Sequence, residues 1–137
     1  MNQHPNLCIP STDNLSSWLV SVIQEEGYNL GRLSYTFLND DDLLKINVDF
    51  LDHHTLTDVI TFDYNVDNYI VGEIYISLDR VFENAESRNI SFSKESHRIM
   101  VHGLLHLLGY KDKEKDAKNL MTEKEDYYLS LQPSFFR

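Results

Sequence analysis

His102-Gly103-Leu104-Leu105-His106-Leu107-Leu108-Gly109-Tyr110-Lys111-Asp112 closes a helix on a turn and sets two imidazoles on one side of it. On a helix, positions i and i+4 lie about 40° apart around the axis and ~6 Å along it. His102 and His106 therefore share a face, and each can aim one nitrogen at a common point. A transition-metal ion held at ~2.0–2.1 Å from each nitrogen fits there. A third ligand ten residues along a straight helix would stand ~15 Å away. Gly109 offers a way back. Glycine after the last apolar helical residue adopts the left-handed conformation and turns the chain, so Asp112 can return toward the imidazoles. Two His and one carboxylate leave a fourth position for water, as in a catalytic rather than a structural zinc site. The plainer reading is two imidazoles satisfied by local hydrogen bonds on an apolar helix. Against it, burying two His on one face without a partner costs desolvation. Near neutral pH both rings are mostly uncharged, as ligation requires.

Outward from this segment, Lys94 to Leu108 reads as its helix, with Ser93 as the cap and Ile99, Leu105 and Leu108 facing a core. Leu78 to Asn89 reads as the helix before it, and Glu114 to Leu131 as the one after, stopped by Pro133. Val59-Ile60-Thr61-Phe62 and Tyr69 to Ser77 read as strands, with Asp67-Asn68 in the turn between them. Leu33, Tyr35 and Phe37 alternate with polar residues as a further strand. Ser11-Thr12-Asp13 can cap a first helix with the stripe Leu15, Trp18, Leu19, Val22 and Ile23, ended by Gly27. Asn39 can cap another, whose first turn holds Asp40-Asp41-Asp42, a solvated start that suits the helix dipole. The expected fold is α/β (α+β): a small mixed four-stranded sheet packed with about five helices, one of them a metzincin-like metal-binding helix.

The chain has 137 residues, 42% of them hydrophobic, enough for one domain spanning 1–137 with a real core. Cys8 is the single cysteine, which excludes an internal disulfide or a Cys-rich zinc module and reads as an inert small hydrophobe. The N-terminus shows no basic and apolar signal pattern, and no run approaches ~20 apolar residues. A soluble cytoplasmic protein with no membrane partner is expected. The 22 Asp and Glu outweigh the 12 Lys and Arg, for a formal charge of −10. Such a balance argues against a general nucleic-acid or membrane-surface binder. It is uneven, however. Residues 1–79 hold 13 acids against Arg32 and Lys45, a balance of −11, whereas residues 80–137 hold 9 acids against 10 bases, a balance of +1. The metal-ligand segment lies on the near-neutral side, with Asp112 between Lys111 and Lys113. RNA is therefore not excluded, but non-specific affinity should be weak, with a shallow salt dependence.

The spacing H-x-x-x-H-x-x-G-x-x-(H/D) is that of metzincin-like zinc proteases, which carry a Glu general base directly after the first His. Here Gly103 occupies that position, which argues against a peptidase of that mechanism. The sequence instead resembles the YbeY family of bacterial metal-dependent endoribonucleases, whose hallmark reads H-G-x-L-H-L-x-G-Y-D-H. The match is carried by His102-Gly103, Leu105-His106-Leu107 and Gly109-Tyr110. Thr57-Asp58-Val59-Ile60-Thr61-Phe62 is similar to the family's T-D-V-L-S-F, Gly72-Glu73-Ile74 to its G-D-I, Asn47 to the Asn of L-N-x-x-(aromatic), and Met121 with Glu125 to its M-x-x-x-E tail. The chain departs from the pattern at positions that bear on the chemistry. Asp112 replaces the third His, and Leu51 follows Phe50 where the family commonly has Arg.

The resemblance implies a single-strand-specific metallo-endoribonuclease in ribosomal RNA processing. It implies maturation of the small-subunit rRNA 3′ end and ribosome quality control, with RNA and the ribosome or its small subunit as partners. His102, His106 and Asp112 would hold one Zn²⁺ per chain, or another first-row divalent ion. A metal-activated water is the candidate nucleophile, because no general base stands beside His102. Asp112 would lower the charge of a Zn²⁺ site from +2 to +1. Thr57 and Asp58 either line the site or form a strand-entry turn. Glu73 is either a supporting residue or outward-facing. His97 falls on another helix face and reads as a surface residue, and His53-His54 as loop residues. Arg80, Arg88, Arg98, Lys111 and Lys113 are either phosphate contacts or solvated surface charges. Two other functions compete: a ribosome-assembly or RNA-binding factor with a structural metal and little nuclease activity, and a hydrolase of a small ester or amide.

Overall fold

The computed structural model describes residues 7–8, 13–51 and 57–132. In chain order the elements are β1 (Leu7–Cys8), α1 (Asp13–Glu25), β2 (Asn29–Leu38), α2 (Asp40–Leu51), β3 (Val59–Asp63), β4 (Tyr69–Ser77), α3 (Leu78–Arg88), α4 (Phe92–Leu107) and α5 (Lys115–Ser130). The sheet is mixed, in the order β1-β2-β4-β3. β2 runs parallel to β4, and β3 antiparallel to it. Three long strands make the body of this sheet. β1 is a two-residue stub beside β2, too short to show an alternating pattern, and the expected count of four rests on that stub alone. Among the described residues, no helix is long and apolar enough to cross a membrane.

The period-2 pattern of β4 decides which face is covered. Ile70, Gly72, Ile74 and Ile76 are buried in alternation. That face meets α4, and two glycines set how closely. A Cβ on Gly103 would stand 3.0 Å from Ile74 Cγ2, and one on Gly72 would stand 2.7 Å from Leu107 Cδ1 and 2.9 Å from the Phe62 carbonyl oxygen. The helix that carries both histidines is thus seated directly on the sheet. α1 covers β2 with the expected stripe Leu15, Trp18, Leu19, Val22 and Ile23, all buried. Trp18 Nε1 donates to the Tyr128 carbonyl at 2.8 Å and ties α1 to α5. The proposed caps Ser11 and Thr12, the stop at Pro133 and the pair His53-His54 lie outside the described residues, as does the side chain of Cys8.

Several boundaries and roles differ from the expectation. Ser91, not Ser93, caps α4; its Oγ accepts from Lys94 N–H at 3.0 Å. α3 ends at Asn89 in the left-handed conformation, and Ile90 N–H bonds back to the Ala85 carbonyl, so the chain has already turned by Ser91. Phe92, the first residue of α4, then stacks on Phe82 with ring centroids 4.2 Å apart. Asn39 caps α2 as expected, its Oδ1 accepting from Asp42 N–H at 2.8 Å. Asp40 is not simply solvated. It accepts from Ser77 Oγ at 2.6 Å and pairs with Arg80 at 3.0 Å, and these contacts hold its carboxyl below the usual carboxylate range.

Candidate metal centre

α4 presents His102 and His106 from its last two turns, their Nε2 atoms 3.2 Å apart. The helix then stops through paired backbone bonds. Gly109 N–H reaches the His106 carbonyl and Tyr110 N–H the Leu105 carbonyl, each at 3.0 Å, with Gly109 at φ +105°. This is the Schellman arrangement, and it requires the left-handed glycine. Two residues later Asp112 Oδ2 lies 3.2 Å from His106 Nε2 and 3.3 Å from His102 Nε2. The turn inferred from Gly109 therefore brings all three residues together. The donors form a nearly equilateral triangle with edges of 3.2–3.3 Å. Donors ~2.0–2.1 Å from a tetrahedral ion are spaced ~3.3–3.4 Å apart. The group fits a zinc-class ion in both donor chemistry and spacing, and all three residues are half-buried.

Around this triangle the chain fixes each part. His102 Nδ1 lies 2.5 Å from Glu125 Oε2, which assigns the Nδ1 proton to that bond and leaves the Nε2 lone pair for the triangle. Glu125 is buried and is itself held by Arg98 Nη1 at 3.0 Å, while Arg98 Nη2 reaches Asp126 at 2.9 Å. Burial pushes the His102 pKa down, but the hydrogen bond to Glu125 and the charges of Glu125, Asp58 and Asp112 outweigh it and raise the value. The field that favours a proton there also favours a cation. Asn65 Nδ2 donates to the Leu107 carbonyl at 2.7 Å and joins the β3–β4 turn to the end of α4. Beyond Gly109, Tyr110 Oη donates to Glu26 at 2.6 Å, and Glu26 also takes Lys124 at 3.2 Å and the hydroxyl of Tyr128.

A hollow of about 150 Å³ opens beside His102 and Asp112 and is lined also by Asp58, Glu95, Arg88 and Lys118. Asp58 is thus at the site, with its backbone carbonyl accepting from Ser77 N–H at 3.0 Å. Thr57 serves the strand-entry turn instead, its Oγ1 donating to the Val59 carbonyl at 3.3 Å. Glu95 was not singled out in the sequence. It is buried, its pKa raised by burial against the opposing pull of Arg88 and Arg98, and it bonds Arg88 Nη1 at 3.0 Å. Glu73 lies on the face of β4 away from α4, half-buried, where it accepts from Tyr75 Oη at 3.4 Å. His97 is half-buried rather than a surface residue. Its ring sits 6.0 Å from Trp18, its Nδ1 is 3.0 Å from Gln132 Nε2, and burial lowers its pKa. Asn47 is buried in α2, and Leu51, exposed, is its last residue.

Comparison with known proteins identifies the family. A family profile described as endoribonuclease YbeY matches residues 2–132. The chain is 42% identical over 130 residues to an endoribonuclease YbeY of Flavobacterium johnsoniae, covering 95% of this chain and 94% of that one. It is 48% identical over 115 residues to that of Flavobacterium psychrophilum, covering 84% and 82%, and 47% identical over 118 residues to that of Cytophaga hutchinsonii, covering 85% and 82%. The solution structure of a Thermotoga maritima protein superimposes with a TM-score of 0.64 at 29% identity, covering 90% of this chain and 85% of that one.

Proposed function

This chain belongs to the endoribonuclease YbeY family, and from that premise we propose that it is a metal-dependent endoribonuclease that cuts single-stranded RNA in ribosomal RNA processing. The reading extends to maturation of the small-subunit rRNA 3′ end and to ribosome quality control. It takes the ribosome or its small subunit as partner, the cytoplasm as location and residues 1–137 as one domain. One Zn²⁺ per chain is the proposed cofactor. The observation that carries the reading is the triangle of His102 Nε2, His106 Nε2 and Asp112 Oδ2 with its 3.2–3.3 Å edges.

When bound, a divalent cation lowers the pKa of a coordinated water and polarises a phosphoryl oxygen. The chain's own residues supply the rest. His102, His106 and Asp112 hold the ion, as the metal helix and its following turn do in metzincin-like proteases. Glu125 keeps the proton on His102 Nδ1, so Nε2 remains a donor. Asp112, a carboxylate rather than an imidazole, removes one unit of charge from the centre. Gly103 carries no side chain and packs on Ile74, so no general base comes from the position after His102. Asp58 lines the hollow beside His102, together with Glu95, Asp112 and Glu125.

The test is incubation of the zinc-loaded protein with a labelled single-stranded RNA, with and without chelator, beside His106→Ala. The expected result is cleavage abolished by chelator and reduced at least 100-fold by the substitution. Asp112 and the exposed Leu51 support a second reading, a ribosome-assembly factor with a structural metal. Zinc-replete protein that binds ribosomal particles yet cuts no RNA would replace the first reading with the second.

A further inference from the structure

Resting on the endoribonuclease reading and deepening it, we propose that the RNA strand crosses the His102–His106–Asp112 group between two hollows, its flanking phosphates gripped by Lys111 and Lys113 on one side and by Lys118 and Arg88 on the other. Asp112 lines both hollows. The first is shared with His102, Lys118 and Arg88; the second, of about 600 Å³, with His106, Lys111 and Lys113. Each imidazole thus opens onto its own hollow, and the three donors stand on the ridge between them. A phosphodiester placed at the donors has neighbouring phosphates on both sides, and each meets cations there.

Ion pairing selects which cations are available. Arg80 is engaged by Asp40 and Glu83, and Arg98 by Glu125 and Asp126, so neither is offered to a ligand. Arg88 bonds Glu95 through Nη1, and a guanidinium has further donors to give. Lys111, Lys113 and Lys118 are exposed.

The charges make this grip conditional. The first hollow sets Arg88, Arg98 and Lys118 against Asp58, Glu95, Asp112 and Glu125, a balance of −1. The second sets Lys111 and Lys113 against Asp112 and Glu114, a balance of 0. A divalent cation at the shared Asp112 turns these into +1 and +2. RNA and the metal therefore bind cooperatively, each raising the other's affinity by the same factor.

Fluorescence anisotropy with a labelled single-stranded RNA tests this, strand integrity being checked on a gel after each titration. Zinc-loaded wild type should bind at least 5-fold more tightly than chelator-treated wild type. Lys111→Ala/Lys113→Ala should weaken binding at least 5-fold and reduce the slope of log K against log salt by about 1.4, at ~0.7 per phosphate contact. Lys118→Ala should reduce it by about 0.7. Arg88→Gln is combined with Glu95→Gln so that no buried carboxylate loses its partner. Lys45→Ala, in α2, should leave affinity and slope unchanged, and zinc stoichiometry should stay at wild type in every variant. Zinc-loaded Lys111→Ala/Lys113→Ala and Lys118→Ala proteins that bind RNA with wild-type affinity and slope, while wild type still cuts RNA in a chelator-sensitive manner, overturn the proposed track and leave the nuclease reading standing. Zinc-loaded wild type that neither binds nor cuts RNA overturns both.

Discussion

His102 is engaged at both ring nitrogens. Nε2 faces His106 and Asp112, and Nδ1 faces a buried carboxylate that Arg98 in turn holds. Such outer partners fix the ring and its tautomer, and their loss typically costs 10–100-fold in metal affinity. Glu125→Gln keeps an acceptor but removes the charge, so zinc affinity should fall about 10-fold; Glu125→Ala should approach 100-fold. Competition with a chromophoric chelator measures both, and wild-type affinity in Glu125→Ala would remove the residue from the site. His102 and His106 were legible because i, i+4 geometry is local. Asp112 was legible because Gly109 dictates where the chain turns. Glu125 could be matched to a family tail but given no role, since 23 residues and a helix–helix packing separate it from His102. The signal available was an acid on the buried stripe of α5, four residues after Met121 and followed by Tyr128.

At the level of elements, the position of the histidines depends on how closely α4 lies on the sheet. Gly72 permits that approach. A methyl group there would meet Leu107 Cδ1 at 2.7 Å and the Phe62 carbonyl oxygen at 2.9 Å. Leu107 can rotate, whereas the backbone of β3 cannot without disturbing its ladder. Gly72→Ala should destabilise the fold by about 1–3 kcal/mol, the usual cost of overpacking. Denaturant midpoints would show it, and an unchanged midpoint would mean that α4 has slack against β4. The stripe of α1 and the alternation of β2 were readable from periodicity, whereas α2 was readable from its cap, Asn39, and its acidic first turn. The α4 cap was not, because Ser91 and Ser93 are both competent and the choice rests on where Asn89 ends α3. β1 was not readable because two residues carry no period.

Across the whole molecule, the uneven charge acquires a structural meaning. The acidic first part builds β1, α1, β2, α2, β3 and β4, and some of its charge is neutralised internally, as where Asp40 meets Arg80. The second part supplies both histidines, Asp112 and the cations of the two hollows. A formal −10 describes the surface on average, while binding is decided at a centre that an ion would make positive. Everything proposed for RNA rests on that ion being held where the triangle stands. The direct measurement is zinc titration into metal-stripped protein by isothermal calorimetry, with bound zinc counted by elemental analysis. Wild type should take up one ion per chain, and a His102→Ala/His106→Ala variant that stays folded should take up none. A wild-type chain that binds no ion under any loading condition, or a double variant that retains it, would contradict the account.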